Sequence, residues 1–322
     1  MTRNEITKDV CRKLSNFPTR SVARYLIETY GGLFDNDPEI ARSAVRYVRG
    51  QNGSESRQLC AEIVPVQNLQ MPETWRRINT PYNLNPGRWL TIADLHIPFH
   101  EKKPIEAAIK HGKKKKCTGI FIDGDLHDCQ GVSFWPSVIR KNFMGEVMVV
   151  IEFLDYLRQE FPNAEIVYKP GNHEYRLPRY YASHAPEMIG NPAHAMESLL
   201  DFESRGIEFL DYFQKVMAGK LPICHGHEFR SISSPVNPAR GLFLKTNSWA
   251  ACAHMHRTSE HTDTNVNDEY LTTWSIGCLC DLHPEYSPFG AKWNWGFAII
   301  DVGVSGDFEV QNKRILPSGV VA

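Results

Sequence analysis

The feature that most constrains this chain is one pattern met five times: a short apolar segment that runs into a cluster of Asp, Asn, Gly and His. Asp94-Leu95-His96 follows Trp89–Ala93, and Gly124-Asp125-Leu126-His127-Asp128 follows Ile120–Asp123. Gly171-Asn172-His173-Glu174 follows Ile166–Tyr168, His225-Gly226-His227 follows Pro222–Cys224, and His254-Met255-His256 follows Trp249–Ala253. Apolar runs this short read as buried strands. In layered α/β folds the crevice outside the carboxyl ends of the strands is where ligands bind. Five strand ends would therefore deliver carboxylates, an amide and imidazoles to one edge of a sheet. One such cluster alone is weak evidence. Five in succession, buried without charge partners, would cost several kcal/mol, and a shared ion is the economical explanation.

Around these clusters the pattern is α/β. Arg88–Ala93, Gly119–Asp123, Glu165–Tyr168, Pro222–Cys224 and Ser248–Ala253 are the buried strands, with helical stretches at Pro104–Lys110 and Gly145–Phe161. After Thr258 the chain turns toward β, with Tyr270–Leu279, Trp295–Val302 and Phe308–Ile315. Residues 1–52 read as a separate helical unit: a stretch near Ile6–Leu14, a second over Ser21–Tyr30 stopped by Gly31-Gly32, and a third opened by the cap Asp37-Pro38. Three short helices with a tight turn admit a helix-turn-helix reading. Nine basic and six acidic residues within 1–50 leave +3, and Arg42, Arg46 and Arg49 share one helical face that could follow phosphates. The alternative is a small helical cap whose arginines solvate its outer face. Residues 53–87, with Pro65, Pro72, Pro81 and Pro86, read as a connector, with a strand considered near Ala61–Val66. Residues 88–322 form the remaining domain.

Composition narrows the class. With 36 Lys and Arg against 37 Asp and Glu, the chain is not basic overall, although a local basic face is compatible with that total. No apolar run approaches the ~20 residues of a membrane span, and the polar start Met1–Glu5 carries no secretion signal. Eight scattered cysteines without a CxxC pair point to reduced thiols. A cytoplasmic protein with no membrane partner is the expectation, and no feature specifies an oligomeric state.

Asp-x-His, Gly-Asp-x-x-Asp, Gly-Asn-His-Glu, a later His and a terminal His-x-His together resemble the calcineurin-like metallophosphoesterase family over residues 88–302. The resemblance implies a four-layer αββα double β-sandwich with a dinuclear metal centre at the strand ends. One ion would be held by Asp94, His96, Asp125 and His256, and the other by Asp125, Asn172, His225 and His254, with Asp125 bridging. His173 matches the family's catalytic histidine, which stabilises the phosphate or protonates the leaving oxygen. Of His225 and His227, the motif favours His225 as the ligand. Ala253 departs from the family's usual Gly before His-x-His, a small change for the turn. Gly277–Cys280 and Trp293–Phe297, and less specifically Ala41–Gly50, resemble phage-encoded members, which would place the protein in a host cytoplasm.

The charge balance points to a phosphate ester independently. Two divalent ions against the carboxylates of Asp94 and Asp125 leave a centre that attracts an anion. Mixed N and O ligands suit Mn, Fe, Zn, Ni or Co. The reaction expected is in-line attack on phosphorus by a metal-held hydroxide, without a phospho-enzyme. His127 and Asp128 are candidates to orient ligands, Arg176 to reach a substrate phosphate, and His227 to border the substrate. Lys113–Lys116 reads as a solvated helix end, and Trp135, Trp274, Trp293 and Trp295 as packing residues rather than base-stacking platforms. The leading function is a dinuclear phosphoesterase acting on nucleic-acid or nucleotide esters. The alternatives are a phosphomonoesterase for phosphoproteins or small metabolites, and a non-enzymatic DNA-binding phage accessory protein.

Overall fold

The chain divides into two compact units, Met1–Arg76 and Arg77–Ala322. The computed structural model describes residues 1–63, 80–135, 137, 142–229, 232, 236–285 and 292–322.

In the first unit, Thr2 caps helix α1 (Arg3–Lys13), its hydroxyl accepting from the Glu5 N–H while the Glu5 carboxylate accepts from the Thr2 N–H. Helix α2 (Thr19–Tyr30) turns Val22, Ala23 and Leu26 inward. A single 3-10 turn over Gly31–Phe34 follows. Asp37 then caps α3 (Pro38–Val48), with Pro38 at the first helical position as the sequence predicts. Ile6, Val10, Val22, Leu26, Phe34, Ala41, Val45 and Val48 make one small core.

Two expectations for this part of the chain change. Gly53–Ile63, read as the start of a connector, is a helix, α4 (Gly53–Ile63). The strand considered near Ala61–Val66 is therefore not formed at residues 61–63, and residues 64–66 lie outside the described residues. Helix α4 is anchored by a polar contact: fully buried Ser56 donates its hydroxyl to the Tyr47 carbonyl and accepts from the Asn52 N–H at 3.2 Å. An anchor of that kind leaves no apolar periodicity to read. Arg49 also leaves the phosphate-following face. Its guanidinium donates to the carbonyls of Phe17 at 2.7 Å and Leu14 at 2.9 Å, closing the α1–α2 turn. Arg42 pairs with Glu39 on its own helix, while Arg46 is exposed.

In the second unit, Tyr82–Asn83, assigned to the connector from sequence, forms strand β1 (Tyr82–Asn83). There follow β2 (Gly87–Ile92), α5 (Lys102–Lys114), β3 (Gly119–Asp123), α6 (Phe143–Glu160), β4 (Glu165–Lys169), α7 (Arg176–His184), α8 (Met196–Leu199) and β5 (Ile207–Phe209). The chain continues through β6 (Val216–Ala218), β7 (Leu221–Cys224), α9 (Pro238–Thr246), β8 (Ala250–Cys252), β9 (Ser259–Thr264), β10 (Tyr270–Ser275), β11 (Gly296–Val302) and β12 (Phe308–Arg314). Two six-stranded sheets result, ordered β12-β11-β2-β3-β4-β5 and β1-β6-β7-β8-β10-β9. In the first, β2, β3, β4 and β5 run parallel. In the second, β7, β8 and β10 do so.

Strand alternation sorts the core into layers. Trp89, Phe121, Val167, Ala298 and Ile300 of the first sheet meet Val216, Leu221, Ile223, Ala251 and Trp274 of the second. On its other face, the first sheet packs Leu90, Ile92, Ile120, Ile122 and Ile166 against α5 and α6 through Ile105, Ile109, Val147, Val150 and Leu154. Leu242 of α9 covers Ala250 and Cys252 on the outer face of the second sheet. The four-layer αββα arrangement that the resemblance implies is the architecture of this unit. One detail differs: the five clusters end strands of two sheets, β2, β3 and β4 in one and β7 and β8 in the other. The site lies where both sets of carboxyl ends meet.

Candidate metal centre

Residues two and four past the ends of β2 and β8, and two past the end of β3, are bent sharply into place. Asp94, His96, Asp125, His254 and His256 all have φ between 49° and 62°, the left-handed region that non-glycine residues seldom adopt. Such conformations cost on the order of 1–3 kcal/mol each and persist where the surroundings impose them. The imposing contacts are backbone bonds between the turns. The N–H groups of Asp94 and His96 donate to the Gly124 and Asp125 carbonyls at 3.1 and 2.9 Å, and the Ala253 N–H donates to the His225 carbonyl at 3.0 Å. Gly171 has no room for a side chain, since a Cβ there would stand 2.3 Å from Asp125 Oδ1 and 2.9 Å from His225 Nε2.

Each carboxylate of the centre is half committed. Asp94 Oδ2 accepts the His254 N–H at 2.9 Å, and Asp125 Oδ1 accepts the His173 N–H at 2.9 Å. Their other oxygens, Asp94 Oδ1 and Asp125 Oδ2, are buried with no hydrogen-bond partner, as are Asn172 Oδ1, His225 Nε2 and His254 Nδ1. Unsatisfied buried polar atoms are rare in folded proteins, and Asp94, Asp125, His225 and His254 converge. His225 Nε2 lies 3.1 Å from Asp125 Oδ2 and 3.8 Å from Asp94 Oδ1. His256 Nε2 is 3.3 Å from Asp94 Oδ1 and 3.1 Å from His96 Nε2, which is itself 3.9 Å from Asp125 Oδ2. Donor atoms of Asp94, His96 and Asp125 lie within 4.8 Å of one another, as do those of Asp125, His225 and His254. Asp125 belongs to both groups. The residues present could hold divalent metal, and the donor set of carboxylate, amide and imidazole suits a transition ion.

The rings of His96, His225, His254 and His256 differ in their electrostatics: burial lowers all of them, but Asp125 raises His225 and Asp128 raises His96 above the ordinary imidazole value. The Asp123 carbonyl accepts from His225 Nδ1 at 2.6 Å, which turns Nε2 toward the carboxylates. Burial and neighbouring His225 push His254 down to about 4, so its ring is neutral and has a lone pair to offer. Burial likewise lowers His256. Burial raises the Asp125 carboxyl, but the imidazoles of His225, His173 and His96 outweigh it and hold the group well below the ordinary carboxylate value.

The remaining candidates separate. Asp128 Oδ1 lies 3.0 Å from His96 Nδ1 and 3.0 Å from His173 Nδ1, so one carboxylate orients both rings. Arg176 is not free to clamp a phosphate with both nitrogens. It donates to the Asp128 carbonyl at 2.8 Å and to Oδ2 at 3.1 Å, and its other nitrogen sits 3.1 Å from His173 Nε2. His127 orients no ligand with its ring, which stacks on Phe143 with Nε2 3.3 Å from Glu146 Oε2, on the α6 side. Its backbone serves the centre, its N–H donating to Glu174 Oε1 at 2.9 Å. His227 is half-buried, 5.4 Å ring to ring from His225, with Nδ1 3.6 Å from Glu228.

Some contributors were missed from sequence. Fully buried Glu174 accepts from the N–H groups of Asp125, His127 and Gly171 at 2.8 to 3.1 Å and from the Tyr168 hydroxyl, pinning two ligand turns together. Its place after Asn172-His173 was the available signal. Trp293, read as packing, sets its ring against His256 at 4.1 Å between centroids. Buried Cys280 brings Sγ within 4.0 Å of His256 Nδ1, a sulfur contact that no spacing rule indicates. Trp274 is buried and Trp295 donates to the Cys280 carbonyl, in keeping with packing roles.

No family model matches the chain. It is 26% identical to the Gene 54 protein of Mycobacterium phage L5 over 228 residues, spanning 67% of this chain and 89% of that protein. The Gene 54 protein of Mycobacterium phage D29 is 25% identical over the same share of each chain. Among solved structures, a Vps29 mutant from Entamoeba histolytica covers 73% of this chain and 96% of its own at 13% identity, with a TM-score of 0.38. A dimetal phosphatase from Danio rerio covers 71% and 96% at 11% identity and 0.36, and the phosphoesterase Yfce from E. coli covers 70% and 98% at 13% and 0.33.

Proposed function

We propose that the chain is a dinuclear-metal phosphoesterase of the calcineurin-like type. The observation that carries this reading is the set of five buried atoms on Asp94, Asp125, Asn172, His225 and His254 that make no hydrogen bond. Asp94, His96, Asp125 and His256 would hold one ion, and Asp125, Asn172, His225 and His254 the other. Two divalent ions would supply Lewis-acid polarisation of phosphoryl oxygens and would lower the pKa of water. The protein's own part is proton and charge placement. Asp128 accepts the His173 Nδ1 proton and orients Nε2 toward the centre, the position from which the ring would serve a leaving oxygen. Nε2 lies 3.8 Å from Asp125 Oδ2, beside the proposed ions. Arg176, 3.1 Å from Nε2, keeps a positive charge on the same side.

For the substrate, the reading is a nucleic-acid or nucleotide phosphoester in a phage-infected host cytoplasm, supported by the phage relatives and by the basic first unit. Arg20 and Arg24 are exposed one turn apart on α2, and Arg46 is exposed on α3. The test is hydrolysis of p-nitrophenyl phosphate, bis(p-nitrophenyl) phosphate, and mono-, di- and polynucleotides with Mn, Zn, Ni and Co salts. Metal-dependent turnover of diesters or polynucleotides is the expected result. Turnover confined to monoesters would favour a phosphomonoesterase, and no turnover with any metal would remove the enzyme.

A further inference from the structure

Beneath the centre lies a charged group that the reading above leaves without a purpose. Lys169 is only 1% exposed, and Asp123 is fully buried. The two are register partners at the carboxyl ends of β4 and β3. Lys169 Nζ donates to Glu228 Oε1 at 2.7 Å. Burying an ammonium is expensive unless it is paired and bonded, so its surroundings indicate what it supports. Glu228 Oε1 also accepts the His225 N–H at 3.2 Å, and Oε2 accepts the Gly226 N–H. The Asp123 carbonyl accepts from His225 Nδ1 at 2.6 Å.

The three residues have a common address. Asp123 precedes Asp125 by two residues, Lys169 precedes Asn172 by three, and Glu228 follows His225 by three. Asn172 and His225 belong to only one of the two proposed ions, and Asp125 bridges to it. No charged member of this cluster stands on the turns that carry Asp94, His96 and His256.

We propose that Lys169 is a positioning residue for that one ion: standing on the strand beside Asp123 and clamped to Glu228, it fixes the His225 turn so that Nε2 stays aimed at Asp125. This rests on the dinuclear reading. Losing Lys169 should loosen one ion and spare the other, a selectivity that general destabilisation would not produce. Outer contacts of metal ligands change affinity by roughly 10–100-fold.

The experiment titrates the full chain, Lys169→Met and Lys169→Met/Glu228→Gln with Mn(II), following bound metal and the electron paramagnetic resonance spectrum. The double variant removes the carboxylate charge that loss of Lys169 would strand, and it decides the matter if the single variant does not fold. The expected result is two ions on the wild type, and in the variants one ion held as before with the second weakened by roughly 10–100-fold. The coupled two-ion spectrum would give way to that of a lone Mn(II). Wild-type affinity for both ions in the variants, equal weakening of both, or failure of both variants to fold would overturn the proposal. A wild type that binds no metal would instead overturn the dinuclear reading on which it stands.

Discussion

At Asp125 the two carboxylate oxygens have separate duties: Oδ1 takes the His173 N–H, while buried Oδ2 faces His225 and His96 with no hydrogen-bond partner. Asp125→Asn keeps the shape but removes the shared charge, and His254→Ala removes a neutral nitrogen donor. Each should abolish hydrolysis of bis(p-nitrophenyl) phosphate; metal-dependent turnover surviving in both would refute the site. His173→Ala should retain metal and lose turnover by roughly 10²–10⁴-fold, the usual reach of a general acid, and an empty centre by elemental analysis would show that its role is structural. Asp128 carries a pH signature. Burial raises its carboxyl, but bonds from His173 and His96 outweigh this and hold it well below the ordinary carboxylate value. A depressed folded pKa contributes stability in full above the unfolded value near ~4 and loses it as pH falls through the folded one. Urea unfolding from pH 5 downward should therefore show a steeper loss for the wild type than for Asp128→Asn, and parallel curves would contradict the assignment. At this scale the sequence was most informative where residue order alone places a side chain, as for the clusters that follow β2, β3, β4, β7 and β8. It was silent where a side chain could turn either way: His127 faces Glu146, and Arg49 reaches back to the α1–α2 turn.

Between strand and ligand lies the turn, and the turns carry the strain. Asp94 and His96 after β2, Asp125 after β3, and His254 and His256 after β8 are held left-handed, and Gly171 after β4 leaves space for Asp125 and His225. Gly171→Ala should cost about 1–3 kcal/mol by overpacking and lower metal content as well as thermal stability. A variant with wild-type metal content would mean that the turn yields without disturbing the ligands. Strands β2, β3, β4, β7 and β8 were legible because each is a short apolar run punctuated by polar residues. Strand β1, with two residues, and α4, held through Ser56, carry no periodicity to detect. The division of the five strands between two sheets was equally hidden in the clusters, because a period of two reports which face is buried and not which neighbour pairs.

Across the molecule, the near-balance of 36 basic and 37 acidic residues conceals an uneven distribution. Residues 1–50 carry a surplus of three positive charges, and two of the three arginines first considered for phosphate contact are engaged within their own unit. If the exposed Arg20, Arg24 and Arg46 bind a polynucleotide, full-length protein should bind DNA with an affinity that falls steeply with salt. Residues 77–322 should keep hydrolysis of small esters and lose that binding; equal DNA binding by both forms would contradict the proposed role. The central claim, a dinuclear centre bridged by Asp125, is tested most directly by counting metal. Elemental analysis of purified full-length protein should find two divalent transition ions per chain, and Asp125→Asn should hold at most one. Wild-type protein that takes up no metal, or an Asp125→Asn variant that still holds two ions with unaltered affinity, would contradict it.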